Sequence, residues 1–342
     1  MRMRAARAMW RRRVPAATVM MMMAGAGCLV GAGPAGAAQD TVVHCRTQNL
    51  QDAIDAAPSG ATLRVAGTCV GNFTISKDLT MTGLKDAVLD GNQADSTVTV
   101  TTAVQVRLDK LTITNGNGFL GGGIDNGGGE VALTDSTVRN SSAGYFGGGI
   151  YNGTGGTVTL DHSTVTNNTA GVGGGIYNLT GGTVTLRSSA VRDNDGDNDG
   201  GGVENEGTVT LYDSTVSSNA ANFGGGIRST GGGRLKLVRS TLERNIASGT
   251  GGGIDNSGTL TLDHSKVRNN TANIWGGGIY NNTGTTTLKS STVERNSANG
   301  GPGSGGGIYN TGGGTVTLDH STVRKNHPDN CAGPDPVPGC TG

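Results

Sequence analysis

The sequence predicts an all-β solenoid, and three observations predict it: a period of about 26 residues, short β-branched segments within each period, and a large excess of glycine. The tripeptide GGG followed by Ile or Val recurs eight times. Its aliphatic residue falls at Ile124, Ile150, Ile176, Val203, Ile227, Ile254, Ile279 and Ile308, in steps of 26, 26, 27, 24, 27, 25 and 29 residues. A Ser-x-Val/Leu motif keeps the same interval from Ser136 to Ser321, and in most copies an asparagine such as Asn168 or Asn194 lies three residues beyond its aliphatic. Glycine fills 63 of 342 positions, against a usual share of about 7%. A fixed internal period marks a stack of like units, and a glycine excess then has a fixed structural task in each.

One copy, residues 147–172, reads GGGIYNGTGGTVTLDHSTVTNNTAGV. The segments GIYN, TVTL and STV alternate with period two and are bounded by Gly, Asn or Asp, which predicts three short strands and three turns per coil. Val158 and Leu160 share one face of TVTL, and Thr157 and Thr159 share the other. One such coil cannot bury its apolar face, so coils must stack. Equivalent residues then lie about 4.8 Å apart. The aliphatics form columns, the asparagines hydrogen-bond to their counterparts at a bend, and the glycines permit tight corners. About ten coils fit between residues 72 and 326, a rod roughly 48 Å long.

The two ends depart from the repeat. Residues 1–37 carry Arg2, Arg4, Arg7 and Arg11 to Arg13, then the apolar run VMMMMAGAGCLVGAG, then Ala35-Gly36-Ala37. That order predicts a secretory signal peptide with an A-x-A cleavage site. The run is too short and glycine-rich for a membrane span. The arginines also suit twin-arginine export, and Cys28 offers a lipoprotein alternative. Without the leader, 20 basic residues face 26 acidic ones, a charge near −6 that disfavours nucleic acid and anionic membranes as partners. In the N-terminal cap, residues 38–71, the stretch QNLQDAIDAAP sets Leu50, Ala53, Ile54 and Ala57 on one helical face before Pro58. It predicts a short helix plugging the first coil. Residues 327–342 abandon the repeat and form a second cap. Four cysteines remain in a secreted chain, which reads as disulfides. Of three possible pairings, Cys45–Cys69 and Cys331–Cys340 close the short loops at either end.

The helix, the following LRVAGTCVGNFTISKDLTMTG and the glycine-rich coils resemble the right-handed parallel β-helix of the pectate-lyase-like superfamily. The GGGI and VxxN motifs are similar to the GGA[ILV] and FxxN repeats of polymorphic outer membrane proteins, which are surface adhesins. VxxN replaces FxxN here, and no membrane barrel follows. The resemblance implies two functions. One is an extracellular, non-catalytic, monomeric scaffold binding a polysaccharide or surface ligand. The other is a polysaccharide lyase or glycoside hydrolase, which needs two carboxylates facing one cleft. Arg234-Leu235-Lys236 imitates one polygalacturonase motif, but the paired D-D, G-H-G and W-x-D-H signatures of such enzymes are absent, so no catalytic residue is named.

Three patterns remain as candidate sites. The position after GGGI forms an outward column of Asp125, Tyr151, Tyr177, Glu204, Arg228, Asp255, Tyr280 and Tyr309, and its tyrosine pairs on adjacent coils, Tyr151/Tyr177 and Tyr280/Tyr309, fit sugar rings or simply stack on each other. The T-x-T pairs, such as Thr157/Thr159 and Thr315/Thr317, resemble the ranks of ice-binding solenoids, although Glu130/Ala132 and Arg234/Lys236 interrupt them. The stretch DNDGDNDGGGVENE satisfies a calcium-loop pattern through Asp195, Asp197, Asp199, Gly200 and Glu206. The repeat already accounts for its glycines and Asn194, and Gly202 stands where a calcium loop needs an aliphatic. What remains is an acidic corner, Asp193, Asp195, Asp197 and Asp199, whose mutual repulsion calls for solvent or a cation such as Ca2+. The LDHS histidines, His162, His264 and His320, lie too many coils apart to share a metal.

Overall fold

The structure, a computed structural model, describes residues 40–341; the expected signal peptide and Cys28 lie outside them. The described residues wind as a right-handed parallel β-helix of about 11 turns, with one short helix among them, Leu50–Ala56. Eight consecutive coils, residues 105–311, carry four strands each rather than the three read from the sequence. In one coil these are Glu130–Thr134, Thr137–Arg139, Ser142–Phe146 and Ile150–Asn152. Stacked, they give parallel sheets of 12, 11, 8 and 11 strands, here sheets 1 to 4 in that order.

Sheet 3 is the one the alternation missed. Its inward column runs Gly118, Ala143, Ala170, Gly196, Ala221, Ala247, Ala272, Ala298. Side chains this small leave no apolar/polar rhythm in the sequence, yet the backbone is extended and paired. The acidic stretch belongs here: Asp195–Asp199 is a strand, not a loop. Gly196 faces inward in the small-residue column while its aspartates face out.

In-register pairing turns the repeat into columns. Val158 pairs with Val131 and Val184, and Leu160 with Leu133 and Leu186. All six are at most 1% exposed. Burying each such side chain stabilises the fold by roughly 1.5–3 kcal/mol. Thr286 interrupts the first column, and its hydroxyl donates to Asn281 Oδ1 at 2.8 Å, so the buried polar group is satisfied.

Two asparagine ladders line the interior. Asn168, Asn194, Asn219, Asn245, Asn270 and Asn296 each accept through Oδ1 from the Nδ2 of the preceding coil or donate to the next, at 2.9–3.0 Å. A second ladder follows the GGGI motif: Asn126, Asn152, Asn178 and Asn205, linked at 2.8–3.0 Å. The ladder asparagine is not itself left-handed. In the first ladder the residue before it is, as at Asn167 (φ 54°), Asp193 (φ 55°) and Arg244 (φ 57°). The exposed residue thus makes the bend and the buried asparagine pins it.

The GGG corner is a matter of space and angle. Gly200 has φ 56°, and a Cβ on Gly202 would stand 2.6 Å from the carbonyl oxygen of Gly226. The corner therefore needs a left-handed first residue and two positions with no side chain, because the next coil's backbone passes there.

At the N-terminal end, helix Leu50–Ala56 is capped by Asn49, whose side chain accepts from the backbone N–H of Gln51, and it buries Leu50 and Ile54. The disulfides Cys45–Cys69 and Cys331–Cys340 are both formed, one at each end.

Candidate functional site

Sheet 4 strands are three or four residues long, and in each GGG coil the first outward side chain is the one after the GGG-aliphatic. Strand register stacks these into a single column: Asp125, Tyr151, Tyr177, Glu204, Arg228, Asp255, Tyr280, Tyr309. Sheet 3 ends beside it and contributes Phe146, Asp199 and Phe223, and Trp275 follows the shorter strand Thr271–Ala272; each stands just before a GGG corner.

The four candidate tyrosines are brought together in pairs. Tyr151 and Tyr177 stack with centroids 5.7 Å apart and planes 12° apart. Tyr280 and Tyr309 repeat this at 5.7 Å and 17°. Each ring turns a face to its partner, so the stacking account holds, and outward they offer edges and hydroxyls. Each pair also gains an aromatic neighbour that the repeat did not reveal. Phe146 lies 4.5 Å from Tyr177, and Trp275 lies 5.3 Å from Tyr309 and 6.3 Å from Tyr280. Trp275 is 40% exposed, and beyond Phe146 the first cluster continues through Tyr145 to Phe119, which are 54% and 70% exposed.

Between the two aromatic clusters the column is charged. Arg228 sits one coil from Glu204 on one side and one coil from Asp255 on the other. Its Nη1 lies 2.7 Å from Asp199 Oδ2 and 3.8 Å from Glu204 Oε1, and its guanidinium is 5.8 Å from the Phe223 ring centroid. Glu204 is 2% exposed and Asp255 is 6% exposed. Thr250 donates to Asp255 Oδ2 at 2.5 Å, while Glu204 Oε2 is buried without a hydrogen-bond partner.

Burial sets the electrostatics. It drives the Glu204 carboxyl well above its ordinary range, against the attraction of Arg228 and aided by Asp199 and Asp255. Burial likewise pushes Asp255 up to about 6, opposed by the Thr250 hydrogen bond and Arg228. Asp125, at the head of the column, rises to about 6 from burial and then from the nearby Asp95. Tyr177 is pushed up by burial and by donating its hydroxyl to Glu206 Oε1 at 2.5 Å; Thr180 donates to the other oxygen at 3.0 Å.

The four aspartates of the acidic stretch do not converge. Asp193 pairs with Arg192 at 2.6 Å, and Asp199 turns to Arg228. Asp195 and Asp197 are exposed on the outer face of sheet 3, where burial and then Asp197 raise the Asp195 carboxyl. Among the described residues, no group of three or more His, Cys, Asp or Glu side chains is arranged to hold a metal ion. The corner expected from the sequence is an extended strand, which spreads its side chains apart. Glu204 and Asp255, which the sequence reading took only as outward column members, lie instead at the centre of the charged cluster. Their one signal was that Glu, Arg and Asp replace Tyr on three consecutive coils. The three LDHS histidines are exposed and each meets its preceding aspartate, at 2.6–3.0 Å. The outward threonines of sheet 1 are interrupted by Arg234 and Lys236, whose register is Thr208 to Arg234 to Thr259.

Residues 174–334 match the model of a family described as right handed beta helix region. A solved structure, that of pectate lyase Pel9A, is similar with a TM-score of 0.43 and 14% sequence identity, over 83% of this chain and 78% of that one. No curated protein matches. Among the described residues no helix is long and apolar enough to cross a membrane. The two disulfides are compatible with an extracellular protein.

Proposed function

We propose that this right-handed β-helix protein is a secreted, monomeric, non-catalytic scaffold that binds an extended polysaccharide along the sheet 4 column. One observation carries the reading: two aromatic clusters flank the charged centre of a single column. From Tyr151 to Tyr309 is six coil steps, about 29 Å at 4.8 Å per step. A recessed stripe of that length suits a polymer laid along the rod. Half-exposed rings at either end supply apolar contact, and tyrosine hydroxyls supply hydrogen bonds. Calcium is not required by this reading.

A glycosidase or lyase is the second reading, favoured by the raised carboxyls of Glu204 and Asp255. Against it, both carboxyls are nearly fully buried and Arg228 stands between them. A general acid must reach the bond it protonates. The test pairs a glycan array with an oligogalacturonate cleavage assay, on the parent and on Trp275→Ala/Tyr309→Ala. Glycan binding lost in the variant, with no cleavage, supports the scaffold. Turnover by the parent overturns it.

A further inference from the structure

The column is acidic, and it is short of cations. Asp125 leads it, Glu204 and Asp255 sit at its centre, and Glu206 and Asp95 border it. Arg228 is the one basic side chain among its eight members. Among the described residues, no Lys, Arg or His comes within 4.0 Å of Asp125, Asp95 or Glu206. The carboxylates also recur beside rings. Asp125 neighbours Tyr151, Glu206 accepts from Tyr177, and Asp255 neighbours Tyr280.

The molecule itself shows how this stripe holds a cation. Arg228 lies between stacked carboxyls, bonds to Asp199 at 2.7 Å, and rests against the Phe223 ring. Beside it, Glu204 Oε2 is a buried acceptor with no donor. An ammonium group has three donors and no acceptor, and it is attracted to aromatic faces. A polyanion meets the reverse, since it would bring like charge to desolvated carboxylates.

We propose that the sheet 4 stripe selects a polysaccharide whose sugars carry protonated amines, with carboxylates of Asp125 and Glu206 pairing with the amines beside the Tyr151/Tyr177 cluster. The inference rests on the polysaccharide-binding reading above and names its ligand class. It predicts discrimination against both the neutral N-acetylated polymer and a polyuronate.

The test is calorimetric titration near neutral pH with three hexasaccharides: glucosamine, N-acetylglucosamine and galacturonate. The parent is compared with Asp125→Asn/Glu206→Gln, whose positions lie at the half-exposed margin and whose new amides keep an acceptor. Circular dichroism of the variant checks that the coils are intact. The expected result is glucosamine hexamer bound at least about tenfold tighter than its acetylated form. The variant should lose about tenfold for the glucosamine hexamer alone, as for a hydrogen bond to a charged group. Tighter binding of the acetylated or galacturonate hexamer overturns the amine inference but leaves the polysaccharide reading standing. Equal loss for all three ligands, or none, also overturns the inference. If no hexamer binds, both readings fall.

Discussion

Replacing Asp255 by Asn should raise stability at neutral pH and leave it nearly unchanged near pH 4. Asp255 is 6% exposed. Its folded-state carboxyl is pushed to about 6 from 3.8, chiefly by burial. An acid whose folded value is raised binds more protons in the folded state than in the unfolded one between those two values. Stability is therefore present in full below about pH 4 and falls as pH rises through about 6. A shift of roughly two units, at about 1.4 kcal/mol per unit, gives about 3 kcal/mol lost by pH 7. Asparagine keeps the shape of the protonated acid and an acceptor for the Thr250 hydroxyl, which donates there at 2.5 Å. It cannot ionise, so the variant should lead the parent by about 3 kcal/mol at pH 7. The assay is urea unfolding followed by circular dichroism at pH 4 and pH 7, with Asp86→Asn on an exposed turn as control. Parallel profiles for Asp255→Asn and the parent would refute the claim that burial of this carboxyl sets the slope.

Other perturbations test other links. Asn219→Ala removes the acceptor for the backbone N–H and Nδ2 of Asn194 and the donor to Val191. It should cost about 4 kcal/mol in urea unfolding, on the basis of ~1–3 kcal/mol per buried group left unpaired, whereas exposed Asn198→Ala should change stability by less than about 0.5 kcal/mol. Cys45→Ser/Cys69→Ser opens a loop with a sequence separation of 24 and should cost about 3.5 kcal/mol by loop entropy, read in the same assay. Gly202→Ala should abolish soluble folded protein, because its Cβ would meet the Gly226 carbonyl at 2.6 Å; a variant with parental circular dichroism and melting would contradict this. Calcium titration should give the same heat for the parent and Asp195→Asn/Asp197→Asn, since their side chains face solvent on a strand. A difference would show that the stretch does gather around an ion.

The sequence by itself determined the coil. Ile124 to Ile308, Ser136 to Ser321 and Asn168 to Asn326 recur at one interval, and parallel in-register stacking is the one arrangement that buries each set against itself. The capping helix was legible because Leu50 and Ile54 share a face and Pro58 follows. Sheet 3 was not legible, because its inward column is Gly and Ala, which carry no hydrophobic signal at any period. That omission made Asp195 to Asp199 read as a corner, whereas they form a strand. The column after GGGI could be enumerated from the repeat, but its meaning could not. Only the tertiary structure turned Tyr151 and Tyr177 face to face, set Trp275 beside Tyr280 and Tyr309, and placed Asp199 within 2.7 Å of Arg228. Periodicity reports which residues occupy equivalent positions. The depth of Glu204 and Asp255, and hence their electrostatics, follows from what the neighbouring sheet lays over them, and no repeat encodes that.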